Sequence, residues 1–190
     1  MTGKNIVIVK GSPRREGNSA SLAEQVAAGA QAAGAEVESF YLHGMDINPC
    51  DACDACQSAP YEGCIVEDDM QLLYPRLEEA DALVIASPVY WFTVSAQTKL
   101  FMDRCYALRD EDGWSFRDKK IGIVMVYGDS DPFNSGAVNA FRTFQDGFGY
   151  VGAEIVGFVY GSASNPGEVR ENEKLMAKAF ELGQKLAAAD

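Results

Sequence analysis

The sequence predicts one α/β domain, a parallel sheet of five strands with helices on both faces. Two observations carry this. Four short runs, at residues 5–10, 82–87, 120–126 and 155–160, are nearly continuous in Val and Ile, as parallel strands buried on both faces are. Helical patterns separate them, and alternation of strand and helix gives a parallel sheet with right-handed crossovers. At 190 residues the chain suits a single domain, 1–190, with a substantial core.

Taken in order, the run at 5–10 is the first strand. Residues 19–33 are alanine-rich and stop at Gly34, a natural helix terminator. Residues 36–42 are more mixed and suit an edge strand. A helix at 68–80 opens on Asp68 and Asp69, which favour a helix N-terminus, and Pro75 predicts a bend within it. Strand 82–87 leads to a helix at 95–106, strand 120–126 to a helix at 137–148, and strand 155–160 to a last helix at 169–189. That helix carries Leu175, Met176, Ala179, Leu182 and Leu186 at helical spacing, a core-facing stripe. Two long stretches without periodicity, 44–67 and 127–136, are candidate functional loops.

The formal charge of −12 argues against sequence-independent nucleic-acid binding, which needs cations to neutralise phosphates. The polar start before the first strand is too short for a signal peptide, and no run approaches the ~20 apolar residues of a membrane span. These features predict a cytoplasmic protein with no membrane partner.

The first strand runs into Gly11-Ser12-Pro13-Arg14-Arg15-Glu16-Gly17-Asn18-Ser19 and then a helix. A helix N-terminus offers free N–H groups and a favourable dipole to an anion, and hydroxyls and an arginine add donors. Gly11 and Gly17 would permit backbone conformations closed to other residues. The loop lacks the Gly-Lys-Ser/Thr of a P-loop and the G-x-G-x-x-G of a dinucleotide turn. Its plain alternative is a polar turn in which Asn18 or Ser19 caps the helix. Gly-Ser-Pro-Arg followed by Gly-Asn-Ser resembles the phosphate loop of the NAD(P)H-dependent FMN reductase family, which has a flavodoxin-like fold. The resemblance implies that Ser12, Arg14, Asn18 and Ser19 surround the 5′-phosphate of FMN.

After the third strand, Ser87-Pro88-Val89-Tyr90-Trp91-Phe92-Thr93 brings three consecutive aromatics, which cannot all point inward. With Ser95-Ala96-Gln97-Thr98-Lys99 and Phe101-Met102-Asp103-Arg104, this segment resembles the same family. There it lines the flavin ring, which implies contacts from Pro88, Val89, Tyr90 and Trp91. The helix carrying Asp103 and Arg104 is implied to be structural and near a subunit contact. A third wall is expected where the fourth strand ends, at Tyr127, Gly128 and Asp129, because in a flavodoxin-like order that end neighbours the other two.

Cys50, Cys53, Cys56 and Cys64 fall within fifteen residues. Two-residue gaps let a short loop wrap a compact inorganic core, and a turn at Gly63 could return Cys64 as a fourth ligand. Tight runs of this kind ligate iron–sulfur clusters. Zinc prefers two C-x2-C knuckles across a longer gap and stands second, and free thiols are the plain alternative. The spacing resembles the iron–sulfur flavoproteins, a branch of the same family, which implies a [4Fe–4S] cluster on these four cysteines. It also implies a homodimer or homotetramer in which a cluster approaches a neighbouring subunit's FMN. Cys105 reads as a core residue, and His43, the only histidine, as a polar loop residue.

Together these resemblances imply an FMN-dependent oxidoreductase that needs no side-chain nucleophile or acid/base pair. Its donor would be NAD(P)H or a ferredoxin-type protein, and its acceptor O2, peroxide or a ferredoxin. The alternatives are a cluster-free NAD(P)H-dependent FMN or quinone reductase and a non-enzymatic FMN-containing regulatory protein.

Overall fold

The computed structural model describes residues 3–188. Along the chain run β1 (Asn5–Lys10), α1 (Asn18–Ala32), β2 (Glu36–Tyr41), α2 (Met70–Glu79), β3 (Ala82–Tyr90), β4 (Thr93–Val94) and α3 (Ala96–Arg104). There follow β5 (Arg109–Asp110), β6 (Gly113–Trp114), β7 (Lys120–Tyr127), α4 (Ala137–Tyr150), β8 (Glu154–Ser162) and α5 (Glu173–Ala187). The long strands form one parallel sheet in the order β2-β1-β3-β7-β8. This is the flavodoxin-like order, and its switch point lies between β1 and β3.

Alternate residues of each strand serve opposite faces. Ile6 and Ile8 pack with Leu22 and Val26 of α1 and with Leu182 and Leu186 of α5. Val7 and Val9 pack with Leu73 and Leu77 of α2, Phe101 of α3 and Phe144 and Phe148 of α4. Each fully buried aliphatic side chain contributes roughly 1.5–3 kcal/mol. The two faces favour apolar residues along most of each inner strand, hence the runs rich in Val and Ile. On the α1/α5 face the helices touch backbone to backbone. A Cβ on Gly29 would lie 2.0 Å from the Phe180 carbonyl oxygen, and one on Gly183 would lie 2.0 Å from that of Val26.

Element boundaries moved where side chains hydrogen-bond the backbone. The α2 helix begins at Met70 rather than Asp68, because Asp68 accepts from the Met70 N–H at 3.0 Å and Asp69 from the Asp46 N–H at 2.7 Å. Pro75 lies inside α2 without ending it. The Ser95 hydroxyl caps α3 by accepting from the Thr98 N–H at 3.2 Å, and α3 gives way to a tighter turn at Cys105–Ala107. The Asn172 side chain caps α5 by accepting from Leu175 N–H, so residues 169–171 form a separate short turn rather than the helix start expected there. The expected helix end at Ala189 lies outside the described residues. The edge strand closes at Tyr41, with Leu42 in a 3-10 turn. The third strand extends three residues past Ser87, to Tyr90, and turns back through β4. The expected strand at 155–160 runs from Glu154 to Ser162. The β5–β6 hairpin was not expected. Among the described residues no helix is long and apolar enough to cross a membrane.

Candidate functional site

Parallel order brings the ends of β1, β3 and β7 to one edge of the sheet, and the loops that follow them meet there. The β1 loop is pinned first. The Gly11 N–H donates to the Ala86 carbonyl at 2.8 Å, and the Ser95 hydroxyl donates to the Gly11 carbonyl at 2.6 Å. A Cβ on Gly11 would fall 1.9 Å from Thr98 Oγ1. Gly11 thus serves close approach to α3, and Gly17 has an ordinary φ of −72°; neither takes the special backbone conformation that the sequence suggested. Ser87, Ser95 and Thr98 are fully buried beneath the loop.

Within the loop, the buried Ser12 hydroxyl accepts from the Arg14 N–H at 3.0 Å, and the Gly17 N–H donates to the Arg14 carbonyl at 3.0 Å. The bond from Ser21 N–H to Gly17 O starts the α1 ladder, so the N–H groups of Asn18, Ser19 and Ala20 precede it and carry the positive end of the helix dipole. Arg14 is exposed and makes no ion pair among the described residues. Arg15 is drawn away, with its guanidinium 4.8 Å from the Tyr41 ring centroid, while the Tyr41 hydroxyl donates to the Pro13 carbonyl at 2.7 Å.

A pocket of about 290 Å³ joins this loop to the other strand ends, lined by Ser12, Arg14, Asn18, Ser19, Pro88, Val89, Tyr90, Tyr127 and Gly128. Nine of the ten residues expected to bind a cofactor therefore share one cavity. The tenth, Trp91, is outside it, a residue 92% exposed. Trp91 and Phe92 are the two central residues of the β3–β4 hairpin, with φ of +49° and +66°, a pattern usually filled by Asn-Gly. The Asn139 side chain holds this tip by donating to the Phe92 carbonyl at 3.1 Å. Burial and the neighbouring Tyr160 and Asp131 push the Tyr127 phenol above its ordinary pKa, so it remains protonated and able to donate.

The sequence reading missed a further wall, Ala163 and Ser164. The Asn18 side chain brings them in: its amide donates to the Asn165 carbonyl at 2.8 Å and the Ala163 carbonyl at 3.4 Å, and its oxygen accepts from the Val169 N–H. The small, polar run from Gly161 to Gly167 at a strand end was the signal available. Asn18 is thus committed to the β8 loop, leaving its backbone N–H for a ligand.

The cysteine segment lies elsewhere, over α3. Its five-cysteine neighbourhood holds free thiols: Cys50 and Cys53 exposed, Cys56 buried at 9% exposure, Cys64 and Cys105 half-buried. Ala52 and Asp54 take left-handed backbone conformations, and Gly63 turns at φ +84° just before Cys64. The Cys64 sulfur accepts from Arg104 Nη2 at 3.4 Å, and Gln57 donates to the Cys56 sulfur at 3.4 Å. No three Cys, His, Asp or Glu side chains among the described residues stand as a metal site. Burial, and then Asp103, push the Cys105 thiol upward, keeping it protonated. His43 lies on the surface with its ring Nδ1 3.0 Å from the Gln97 amide nitrogen. An apolar groove of about 440 Å³ between α3 and α4 runs past Cys50, Tyr106, Trp114 and Tyr150.

A flavodoxin-like sheet with a helix N-terminus opening at its switch point and a pocket across the adjacent strand ends is the plan of a flavoprotein. The chain belongs to the NADPH-dependent FMN reductase family, whose model matches residues 4–153, and is an oxidoreductase of that FMN-dependent kind. It is 32% identical over 181 residues to an iron–sulfur flavoprotein of Archaeoglobus fulgidus, covering 95% of this chain and 78% of that one. An iron–sulfur flavoprotein of Methanosarcina thermophila is 28% identical over 188 residues, covering 93% and 95%. The NAD(P)H:quinone oxidoreductase of Methanothermobacter marburgensis has the same fold, with a TM-score of 0.75, 19% identity and 99% of each chain covered.

Proposed function

We propose that this oxidoreductase holds one FMN in the pocket at the ends of β1, β3 and β7 and takes electrons from NAD(P)H. The observation that carries the reading is the cavity itself, in which a helix N-terminus, a hydroxyl and an unpaired arginine meet an apolar strand end. That donor set fits a terminal phosphate beside a flat, partly apolar ring. Ser12, Arg14, Ser19 and the Asn18 N–H receive the phosphate. Pro88, Val89 and Tyr90, with Tyr127 and Gly128, receive the ring, and Trp91 contributes only the backbone of its hairpin. Bound FMN supplies the ability to accept a hydride and release single electrons. The chain itself binds and orients, with Ala163 and Ser164 forming a further wall of the pocket. The test is release of flavin by denaturation, its identification by chromatography, and steady-state NAD(P)H oxidation. FAD alone, or no flavin after reconstitution, defeats the proposal.

A second element of the reading is a [4Fe–4S] cluster on Cys50, Cys53, Cys56 and Cys64, passing electrons singly to a ferredoxin, O2 or peroxide, with ferredoxin as an alternative donor. The names of the two relatives support it, as does the donor chemistry of four thiols on one loop. Closure requires the exposed Cys50 and Cys53 to fold in toward Cys56 and Cys64. The apolar groove beside Cys50 supports a homodimer or homotetramer, and five free thiols support a reducing cytoplasmic setting. Cys53→Ser should abolish most cluster absorbance and leave FMN bound. Anaerobic protein with FMN but without iron or acid-labile sulfide, even after reconstitution, favours the cluster-free FMN or quinone reductase instead; zinc analysis distinguishes the remaining metal.

A further inference from the structure

Among the largest fully buried side chains is a charged one, Arg104, at 2% exposure. It ends α3 and meets Asp68 in a two-pronged pair, Nη1 to Oδ2 and Nη2 to Oδ1, with side-chain exposures of 1% and 0%. A buried pair of this kind stabilises a fold little better than apolar residues of the same volume. The rest of its hydrogen bonding is specific. Nη1 also donates to the Asn48 carbonyl at 2.9 Å, and Nη2 to the Cys64 sulfur at 3.4 Å. Asp68 accepts in turn from the Asn48 N–H at 2.9 Å. The Tyr74 hydroxyl donates to the Arg104 carbonyl at 3.2 Å, and Arg104 Nε has no partner among the described residues.

Asn48 lies two residues before Cys50, and Cys64 is the last cysteine of the segment. One guanidinium therefore grips both ends of a loop that has only one short turn of regular structure between them. The other end of the same helix is fastened to the β1 loop, through Ser95 to the Gly11 carbonyl. The nine residues of α3 make a strut of about 13–14 Å at ~1.5 Å per residue, joining the flavin pocket to the cysteine loop.

We propose that Arg104 is a positioning residue: paired with Asp68, it clamps Asn48 and Cys64 to the end of α3 and fixes the cysteine loop in register with the flavin pocket. This rests on the cluster reading for its function, but the clamp exists without metal. The fork geometry explains the residue type. A lysine could neutralise Asp68, yet its single ammonium cannot span Asp68, Asn48 and Cys64 as a planar guanidinium does.

The test compares Arg104→Lys and the paired Arg104→Met/Asp68→Leu variant, which leaves no buried charge unpaired, with the unaltered protein. Three quantities are read: amide hydrogen exchange across residues 48–67, the FMN dissociation constant, and iron, sulfide and visible absorbance after anaerobic reconstitution. The clamp predicts exchange at least tenfold faster in 48–67 in both variants, with FMN affinity within about twofold and cluster absorbance reduced by more than half. Unchanged exchange, or full restoration by lysine, overturns it. FMN affinity and melting temperature falling together with the loop also overturns it, by making Arg104 a general stabiliser of α3. Should the unaltered protein bind no iron, the cluster reading fails on its own, and the exchange measurement still decides the clamp.

Discussion

Replacing Trp91 with asparagine should make the protein more stable, although it removes the largest side chain the chain could lose at that position. Trp91 takes φ +49° in a two-residue hairpin whose other central residue, Phe92, takes +66°. A left-handed conformation costs an ordinary L-residue roughly 1–2 kcal/mol, and asparagine adopts it readily. The opposing term is small. With Trp91 92% exposed, less than a tenth of its surface is withdrawn from water, about 0.5 kcal/mol at ~25 cal/mol/Å² for a side chain of this size. The edge-on contact with the Phe92 ring, centroids 6.2 Å apart, adds a few tenths at most in so exposed a place. The net gain is about 0.5–1 kcal/mol, or a rise in Tm of roughly 1–4 °C for a chain of this size. Calorimetry of the FMN-loaded Trp91→Asn variant measures it. An unchanged or lower Tm would show that the indole is covered by something in solution, such as a second subunit, or that the turn strain is relieved elsewhere. If the gain appears, Trp91 occupies a strained site at the pocket's edge without stabilising the fold, and backbone strain of that kind is characteristic of functional sites.

Arg14→Ala should weaken FMN binding toward the lower end of about 1.5–3 kcal/mol, roughly tenfold or somewhat more, because the guanidinium is solvent-exposed. Titration of the apoprotein reads this, and an unchanged dissociation constant would leave the phosphate to the backbone N–H groups. Gly29→Ala should destabilise the domain by about 1–3 kcal/mol or more, since its Cβ would meet the Phe180 carbonyl at 2.0 Å; urea denaturation with a normal midpoint would mean that α1 and α5 separate easily. Burial alone would raise the Asp68 pKa, but hydrogen bonds from Arg104, Asn48 and Met70 and the Arg104 charge outweigh it and hold the carboxyl below its usual range. A depressed carboxylate contributes stability that is complete above its unfolded pKa of about 3.9 and is lost as pH falls from there through the folded value. Asp68→Asn should therefore flatten the stability curve below about pH 4. At neutral pH it should cost about 3–5 kcal/mol, because Arg104 is left buried and unpaired. A variant with the wild-type acid slope contradicts this.

The sheet was legible because its inner strands are covered on both faces, which favours Val, Ile and other apolar residues along most of their length. Helix bodies were legible from their apolar stripes. Their ends were less so, because α2 and α5 begin where Asp68, Asp69 and Asn172 happen to find backbone N–H groups, and capping depends on where the chain enters. Two-residue strands such as β5 and β6 carry no periodicity to detect. In the pocket, the residues that follow a strand directly were found, since topology places them. Ala163 and Ser164 were missed because they arrive through an amide contact from Asn18, 145 residues away in sequence. The cysteine spacing stood out at once, but the orientation of each thiol depends on a long loop. Arg104 was read as structural, and its link to Cys64 across 40 positions had no trace in the local sequence.

The glycine contacts between α1 and α5 have a bearing on how this flavoprotein is made. The N-terminal turn of α1 faces the pocket, yet the far side of that helix is shaped to receive α5, whose first residue, Glu173, is translated long after Ala32. At ~5–20 residues per second, the interval on the ribosome is on the order of ten seconds. Throughout it the helix that opens onto the pocket lacks the surface that fixes it. Loading of an FMN held as proposed should therefore wait until almost the whole domain has been synthesised, and a nascent chain truncated before α5 should retain no flavin at all.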